Sequence, residues 1–214
     1  MKISIKTFQQ LFKISMVELD ELDKAIALVM CLTGKSEFEI NKMSPLKFNK
    51  LCLKIKSAFD RVNTDVINSK PKNIVKANGN WYYLNYEITK EPMNAGRYVD
   101  IATFNNDLIG NLHLIMASMA NPMKWTWKGL ELQEYNALDH ERIANDMLEL
   151  DFIVAYNSAL FFWAVFMKSI ESLKDYSVTE QSKNLKATML LRSLQNILVG
   201  SITPRWFRTL KILN

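Results

Sequence analysis

Residues that start and stop helices recur at short intervals near the beginning of the chain, and this punctuation limits what it can fold into. Gly34 follows a segment of helical period, where a glycine ends a helix because it adopts positive φ without strain. Ser36 and Glu39 have the spacing of a capping box, in which each side chain satisfies a backbone amide of the other residue. Such a pattern is typical of short packed helices, so the N-terminal part is predicted to be helical.

Three helices are predicted in residues 1–62, and together they form an N-terminal helical module. The first begins at a capping box of Ser15 and Glu18, and the third begins at Ser44 and Pro45, an N-cap followed by a first-turn proline. The predicted apolar stripe of the first consists of Leu19, Leu22, Ile26, Val29 and Met30, and the apolar residues of the third are Leu46, Phe48, Leu51, Cys52, Ile55 and Phe59.

Residues 63–99 are predicted to hold a linker and a β-hairpin. Asn78-Gly79 lies between two runs of β-forming residues, and both turn residues tolerate the positive φ that tight hairpins require. A two-stranded hairpin is marginal alone, so it should pack on a helix or pair with strands of a neighbouring copy.

A helical core is predicted for residues 100–202, followed by a short basic, apolar tail at 203–214. The first core helix is expected to end at Pro122, and residues 123–139 are predicted to be a loop, with a short strand as the alternative. Asp139 is then expected to cap either one long helix or two, and a last helix should stop before Pro204. The predicted fold is therefore mainly α, a helical bundle with an N-terminal three-helix module and a small β-hairpin insertion.

Charge is spread unevenly along the chain. Residues 1–78 carry a net charge of +6, residues 79–167 carry −6, and residues 168–214 carry +5. An acidic middle between basic ends suits contacts within or between copies, although ordinary solvated faces would give the same pattern. A nucleic-acid binder more often gathers basic and aromatic side chains on one face, so nucleic-acid binding is disfavoured.

No motif for nucleotide binding or catalysis is complete. The sequence "GKS" at 34–36 resembles the end of a phosphate-binding loop, but Val29 stands where the first glycine of that loop is required. His140 and Glu141 begin a zinc-protease pattern that needs a second histidine at residue 144, which is alanine. We predict no enzyme, no cofactor and no metal site.

The remaining polar candidates also favour structural roles. His113 lies on a mainly apolar helix, where a packing role is expected. The acidic residues between positions 139 and 151 are predicted to form a solvated or subunit-facing strip, with acid–base or metal chemistry as the alternative. These residues are Asp139, Glu141, Asp146, Glu149 and Asp151.

The sequence favours neither a membrane span nor a disulfide framework. The most apolar run, residues 152–167, has 16 residues and contains Asn157 and Ser158, whereas a span needs about 20. It is predicted to be a helix buried in the core or against a partner subunit. Cys31 and Cys52 fall on apolar helix positions, which favours packing in a reducing compartment, and no cleavable signal is expected at the start.

Aromatic residues are the candidates for partner contacts. Aromatic and arginine side chains are favoured anchors of protein interfaces, whereas base stacking is disfavoured in the acidic third of the chain. The basic tail could alternatively lie on a membrane surface, but docking on a protein is preferred. The candidate interface residues are Trp81, Tyr83, Trp125, Trp127, Arg205, Trp206, Phe207 and Arg208.

The N-terminal pattern resembles a known group of phage proteins. Residues 27–48, "ALVMCLTGKSEFEINKMSPLKF", are similar to a recurring module of tail assembly chaperones. The segments "AGRYVDIATFNNDLIGNLHLIMASMANPM" and "DHERIANDMLELDFIVAYNSALFFW" resemble proteins from the structural-gene region of long phage genomes, including crAss-like phages. The likeness covers most of the chain and consists of helix caps and hydrophobic pattern.

The resemblance implies a non-catalytic virion protein, repeated as a ring in the portal–tail (neck or tail) assembly and made in the cytoplasm of the bacterial host. Its expected partners are copies of itself and other phage portal, tail or ring proteins. One alternative is a tail assembly chaperone that binds the tape-measure protein, although such chaperones usually lack a large hairpin-plus-helix C-terminal part. A second alternative, from a different class, is a DNA-binding or packaging-associated phage protein, given the sequence pI of about 9.1.

Overall fold

The protein is mainly α-helical, as predicted, and its described part contains a small four-stranded antiparallel sheet. The computed structural model describes residues 2–68, 70–86 and 93–174. Its helices are α1 (Ile5–Met16), α2 (Glu21–Thr33), α3 (Glu37–Asn41), α4 (Pro45–Asn68), α5 (Ala95–Phe104), α6 (Leu112–Met119), α7 (His140–Met147) and α8 (Phe152–Lys174). Its strands are β1 (Ile74–Ala77), β2 (Asn80–Leu84), β3 (Ala120–Thr126) and β4 (Gly129–Leu132). The last helix, predicted to begin at Ser182, and the predicted tail lie outside the described residues.

The described chain divides into two compact units. The first unit comprises residues 2–13 with 65–165, and the second comprises residues 14–64 together with 166–174. The first unit contains the whole sheet and helices α5, α6 and α7. The predicted segment boundaries at residues 62, 99 and 202 stay predictions.

The sheet of the first unit consists of two hairpins joined side by side. Its strand order is β1-β2-β3-β4, and every neighbouring pair is antiparallel. The predicted Asn78-Gly79 turn joins β1 to β2, and the two residues have φ angles of 46° and 83°. Positive φ at both positions is the geometry that the sequence signal predicted.

One face of the sheet is buried in the first unit. Side chains alternate between faces along a strand, and the buried face carries Val75, Ala77, Tyr82 and Leu84, each 4% exposed or less. The residues of α6 from Ile115 to Met119 are likewise completely buried. The sheet and α6 therefore supply much of the core of this unit.

The N-terminal segment is fixed to the connection between α7 and α8. The backbone N–H of Ile5 donates to the carbonyl oxygen of Leu150 at 2.9 Å, and that of Phe152 donates to Ile3 at 2.8 Å. The rings of Phe8 and Phe152 stack with their centroids 3.6 Å apart. Burial of these rings and of Leu11 anchors the start of α1 in the first unit.

The prediction that a helix extends to Pro122 is wrong. Helix α6 ends at Met119, and β3 begins at Ala120 and carries Pro122 within it. Proline disfavours the helical conformation of the residue before it, so Asn121 becomes extended and pairs with Tyr83 of β2. Residues 123–126 and 129–132, predicted to be mostly loop, form the second hairpin.

The long segment after residue 139 forms two helices, which was one of the two alternatives. Asp139 makes no side-chain capping bond to α7, contrary to the prediction, because the chain enters α7 through a 3-10 turn at Ala137–Asp139 that Asn136 caps. Asp151 caps α8 instead, since its Oδ1 accepts from the backbone N–H groups of Ile153 and Val154 at 3.1 and 3.2 Å.

In the second unit, the predicted capping box at Ser15 and Glu18 is wrong. Ser15 is buried within the last turn of α1, and Asp20 is the N-cap of α2, accepting from the backbone N–H of Asp23 at 2.9 Å. The helix therefore starts later than predicted. Of the predicted stripe, Leu19 and Leu22 are 44% and 63% exposed.

Three other helix signals of this unit are confirmed. Gly34 ends α2 with a φ of 67°, and Ser36 with Glu39 forms the predicted capping box around the start of α3. Helix α4 begins at Pro45, as predicted, and runs on to Asn68, into the segment predicted to be a linker. The core of the unit includes Leu28, Val29, Ile40, Ile55 and Phe59.

Candidate interaction surface

Three of the predicted aromatic residues share the open face of the sheet. Trp81 and Tyr83 alternate with the buried residues of β2, and Trp81 pairs with Met123 of β3. Trp125 lies two residues beyond Met123 and therefore on the same face. Directly opposed residues of antiparallel strands point to the same side, so the register places all three side chains together.

We call this surface the aromatic sheet face. It is largely apolar, with Lys76 above the ring of Trp81 at 5.4 Å from its centroid and Asn121 buried at one end. By register its members are Ile74, Lys76, Trp81, Tyr83, Asn121, Met123, Trp125, Leu130 and Leu132. Trp125 is 69% exposed, and Ile74 and Leu132 are 44% and 36% exposed. A contiguous apolar face of this kind on a folded unit is typical of a protein-binding surface.

Trp127 lies at the tip of the second hairpin and is 90% exposed. The turn is held by Thr126, whose hydroxyl donates to the carbonyl oxygen of Gly129 at 3.1 Å, and by Gly129 itself with a φ of 112°. Lys128 lies over the Trp127 ring at 4.9 Å from its centroid. The predicted tail residues Arg205, Trp206, Phe207 and Arg208 lie outside the described residues.

A buried carboxylate joins the first hairpin to α7. Asp146 is 5% exposed; its Oδ1 accepts from the amide of Asn78 and its Oδ2 from the amide of Asn80, each at 2.8 Å. The hydroxyl of Tyr82 also donates to Oδ2, and Arg142 lies 3.8 Å from that oxygen. The prediction that Asp146 belongs to a solvated acidic strip is therefore wrong, because the hairpin turn covers its carboxylate.

The surroundings of Asp146 favour its charged form. Burial alone would raise the pKa of this carboxyl, but hydrogen bonds from Tyr82, Asn78 and Asn80 and the charge of Arg142 lower it below its usual value. Burial, together with the hydrogen bond to the Asp146 carboxylate and its charge, raises the pKa of Tyr82 to about 12, although Arg142 opposes the shift. The cluster has the properties of a structural clamp, because Asn78, Asn80 and Tyr82 of the first hairpin all donate to one carboxylate of α7.

A second polar centre lies where β3 meets α5. Arg97 is 5% exposed, and its Nε and Nη2 groups donate to the carbonyl oxygens of Ser118 and Ala120 at 2.6 and 3.2 Å. Its Nη1 donates to Oδ1 of Asn121 at 2.8 Å, and its guanidinium lies 4.0 Å from the centroid of the Tyr135 ring. Burial lowers the pKa of Arg97 from its usual value, and the nearby tyrosines oppose that shift.

Arg97 borders an open cavity of about 380 Å³ in the first unit. Its walls come from β4 and the residues after it, from β3, and from the start of α5, where Asn94 is the N-cap. The lining residues are Asn85, Asn94, Arg97, Asn121, Leu132, Gln133, Glu134 and Tyr135. Asn121 and Leu132 belong to both the cavity wall and the aromatic sheet face, so the two surfaces are continuous.

Both histidines take part in packing contacts. Nδ1 of His113 lies 3.2 Å from the Gln9 amide, and Nε2 of His140 lies 3.0 Å from the hydroxyl of Ser118. Burial lowers the pKa of His113, with smaller contributions from His140 and Lys13. Within the described part of the chain, no group of three or more His, Cys, Asp or Glu is arranged to hold a metal ion.

The second unit has an apolar groove of about 560 Å³ between α2 and α4. Its walls are Glu21, Leu22, Ala25, Pro45, Leu46, Phe48, Asn49 and Cys52. Leu22 and Leu46 are 63% and 71% exposed, so large apolar side chains are open to solvent here. Cys52 and Cys31 are half-buried on α4 and α2, and burial raises the pKa of both thiols.

Comparison with protein-family models, curated proteins and solved structures finds no match for this chain. Among the helices of residues 2–68 and 93–174, none has the length and apolar character that crossing a bilayer requires.

Sequence reasoning missed both polar centres. Asn78 was predicted as a turn residue and Asp146 as part of an acidic strip, but the pairing of Asp146 with Asn78 and Asn80 depends on contacts across more than 60 residues. For Arg97 the sequence offers one signal: it is a single arginine at the third position of the apolar helix α5, which begins after the Asn94 cap.

Proposed function

We propose that this chain is a non-catalytic structural protein of a bacteriophage particle. It works as an oligomeric ring component of the portal–tail assembly, through contacts with its own copies and with other portal, tail or ring proteins. The proposal includes the finer arrangement that the sequence predicts, a helical bundle with an N-terminal three-helix module. Its proposed location is the neck or tail of the virion.

The observation that carries the proposal is the aromatic sheet face. Tryptophan and tyrosine dominate the binding energy of many interfaces, and Trp125 and Trp127 are mostly exposed on the second hairpin. Aromatic side chains that stay exposed in a folded unit are not stabilised by internal packing, whereas their burial against a partner would be favourable. The resemblance to phage structural proteins supplies the kind of partner.

Self-association measured by sedimentation tests this proposal. The full chain should sediment as an oligomer, and Trp125→Ser should shift it towards the monomer, because the apolar face loses its most exposed large ring. Leu138→Ser is the matched control: Leu138 is 91% exposed but lies in the 3-10 turn before α7 and is not a member of the aromatic sheet face. Apolar contacts should persist at high salt. A chain that stays monomeric at high concentration, or variants that behave alike, would contradict the ring assignment.

A second candidate function is a tail assembly chaperone, and the apolar groove of the second unit favours it. The groove lies between α2 and α4, includes Pro45, Leu46 and Phe48 from the segment that resembles the chaperone module, and could receive an apolar helix of the tape-measure protein. Leu46→Ser should then weaken capture of that protein, whereas Trp125→Ser should not.

Mass spectrometry of purified mature virions separates the two candidates. A ring component is present in fixed stoichiometry, whereas a chaperone leaves before the particle matures and is absent. Presence in the virion with self-association through the sheet face supports the first; absence, with loss of capture in Leu46→Ser, supports the second.

A further inference from the structure

The buried guanidinium of Arg97 has no anionic partner among the described residues. Its three hydrogen-bond acceptors are two backbone carbonyls and the side-chain amide of Asn121, all neutral. Burying a charge is costly unless an opposite charge or a strong set of hydrogen bonds compensates it. The Tyr135 ring compensates part of that cost through its π face, but it does not neutralise the charge.

The donor count of Arg97 leaves room for a ligand. A guanidinium has five N–H groups, and three of them are used by Ser118, Ala120 and Asn121. The cavity of about 380 Å³ lies against the same side chain. We propose that this cavity is a binding site for a carboxylate group, held by the remaining N–H donors of Arg97.

The charge of the surroundings selects a carboxylate over a phosphate. Glu134 lines the cavity without forming an ion pair with Arg97 within the described chain. A phosphate dianion would meet stronger repulsion from this carboxylate than a monoanion would. A carboxylate also matches the planar fork of a guanidinium, and the amides of Asn94 and Gln133 can donate to its oxygens.

Two sources could supply this group. Because Asn121 and Leu132 belong to both the cavity and the aromatic sheet face, an acidic side chain of a docked second copy could reach it. A free small carboxylic acid has the same chemistry. The site itself does not depend on the proposed ring function, since either source occupies it in the same way.

Titration of the full chain with propionate, followed by NMR of the arginine side-chain Nε–H signals, tests the site. Propionate carries the end group of a glutamate, and propionamide is its neutral counterpart of the same shape. The Arg97 signal should shift saturably with propionate and not with propionamide at constant ionic strength. Equal responses to both probes, no response, or tighter binding of inorganic phosphate would each overturn the proposal.

Variants of the cavity wall sharpen the test. Glu134→Gln removes the like charge and should tighten propionate binding about threefold, with no loss of stability because Glu134 is exposed. Glu131→Gln on β4 is the control, since Glu131 is exposed but outside the cavity wall. This variant should bind propionate with the affinity of the wild type. Arg97→Lys keeps the charge and loses the fork, and should weaken binding about tenfold or more. If that variant does not fold, the pair of glutamate variants still decides the matter.

Sedimentation in the presence of each probe identifies the source. If an acidic side chain of a second copy fills the cavity, propionate should lower self-association and propionamide should not. If self-association is unaffected while Arg97 still binds propionate, the ligand is a free small carboxylate. A chain that does not self-associate at all would contradict the ring function alone, because the NMR titration still reports on the cavity.

Discussion

The hydroxyl of Tyr82 on β2 donates a hydrogen bond to the carboxylate of Asp146 on α7, and both side chains are buried. This contact, with those from Asn78 and Asn80, ties the first hairpin to a helix that lies more than 60 residues further along the chain. Strand β2 belongs to this hairpin and also pairs with β3, so the position of the hairpin determines where the aromatic sheet face lies. Stability of the clamp and geometry of the surface are therefore linked.

Asp146→Asn is expected to destabilise the protein by about 1–3 kcal/mol. The carboxylate accepts on both oxygens, whereas an asparagine amide offers one acceptor and turns an N–H₂ group towards a donor of the hairpin. Urea unfolding followed by circular dichroism measures the difference. Glu141→Gln is the matched control on α7, because Glu141 is exposed and should change stability by less than about 0.5 kcal/mol. Equal effects of the two substitutions would show that the clamp contributes nothing particular.

The lowered pKa of Asp146 predicts a specific loss of stability in acid. A carboxyl whose pKa is lower in the folded protein than in the unfolded chain stabilises the fold above its unfolded pKa of about 3.9. That contribution disappears as the pH falls through the folded value, when the carboxyl becomes protonated. The stability difference between wild type and Asp146→Asn should therefore be constant from neutral pH to about pH 5 and should shrink below about pH 4. A difference that grows on acidification would contradict this assignment.

Helix signals within a few residues of each other were predictable because their chemistry is local. The Ser36 and Glu39 box and the Gly34 stop need no information from elsewhere in the chain. The Ser15 prediction failed because serine is also accommodated in the last turn of a helix, and the side chain of Asp20 caps α2 instead. Local signals identify helices better than they choose between neighbouring caps.

The sheet and the polar centres depend on contacts that local pattern does not contain. Trp81, Tyr83 and Trp125 were predicted as interface residues by residue type, but their common face follows from the pairing of β2 with β3. The segment of β3 was predicted to be the end of a helix up to Pro122 and then a loop, with a short strand as the alternative. Asp146 and Arg97 gain their properties only from distant partners. Composition, period and turn residues predicted a mainly α chain with a hairpin. The residues that share the aromatic sheet face are determined by long-range strand pairing, which these signals do not contain.

Two buried tyrosines should respond in opposite ways to removal of the hydroxyl group. The Tyr82 hydroxyl donates to Asp146, whereas that of Tyr156 on α8 is buried and has no hydrogen-bond partner among the described residues. Tyr82→Phe should therefore cost about 1–3 kcal/mol of unfolding free energy, because a buried carboxylate loses a donor. Tyr156→Phe should be neutral or stabilising by about 1 kcal/mol, because the ring stacking on Phe152 is kept and an unsatisfied polar group is removed. Thermal or urea unfolding of the two variants side by side measures both effects, and destabilisation by Tyr156→Phe would indicate that its hydroxyl has a partner.

The hairpin turn predicts a contrast between two glycines. Gly79 has a φ of 83°, and a Cβ added there meets nothing within 4 Å, so Gly79→Ala changes only the backbone strain and should destabilise by about 1 kcal/mol. Gly96 lies in the first turn of α5, and an added Cβ makes an ordinary contact, 3.4 Å from the Asn94 side chain. Gly96→Ala should leave stability unchanged or raise it by about 0.5 kcal/mol, because alanine favours the helix. Unfolding free energies of both variants give the comparison. Because Asn78 and Asn80 flank Gly79 and both bind Asp146, a loss in Gly79→Ala that vanishes in the Asp146→Asn background would show that turn and clamp act as one unit.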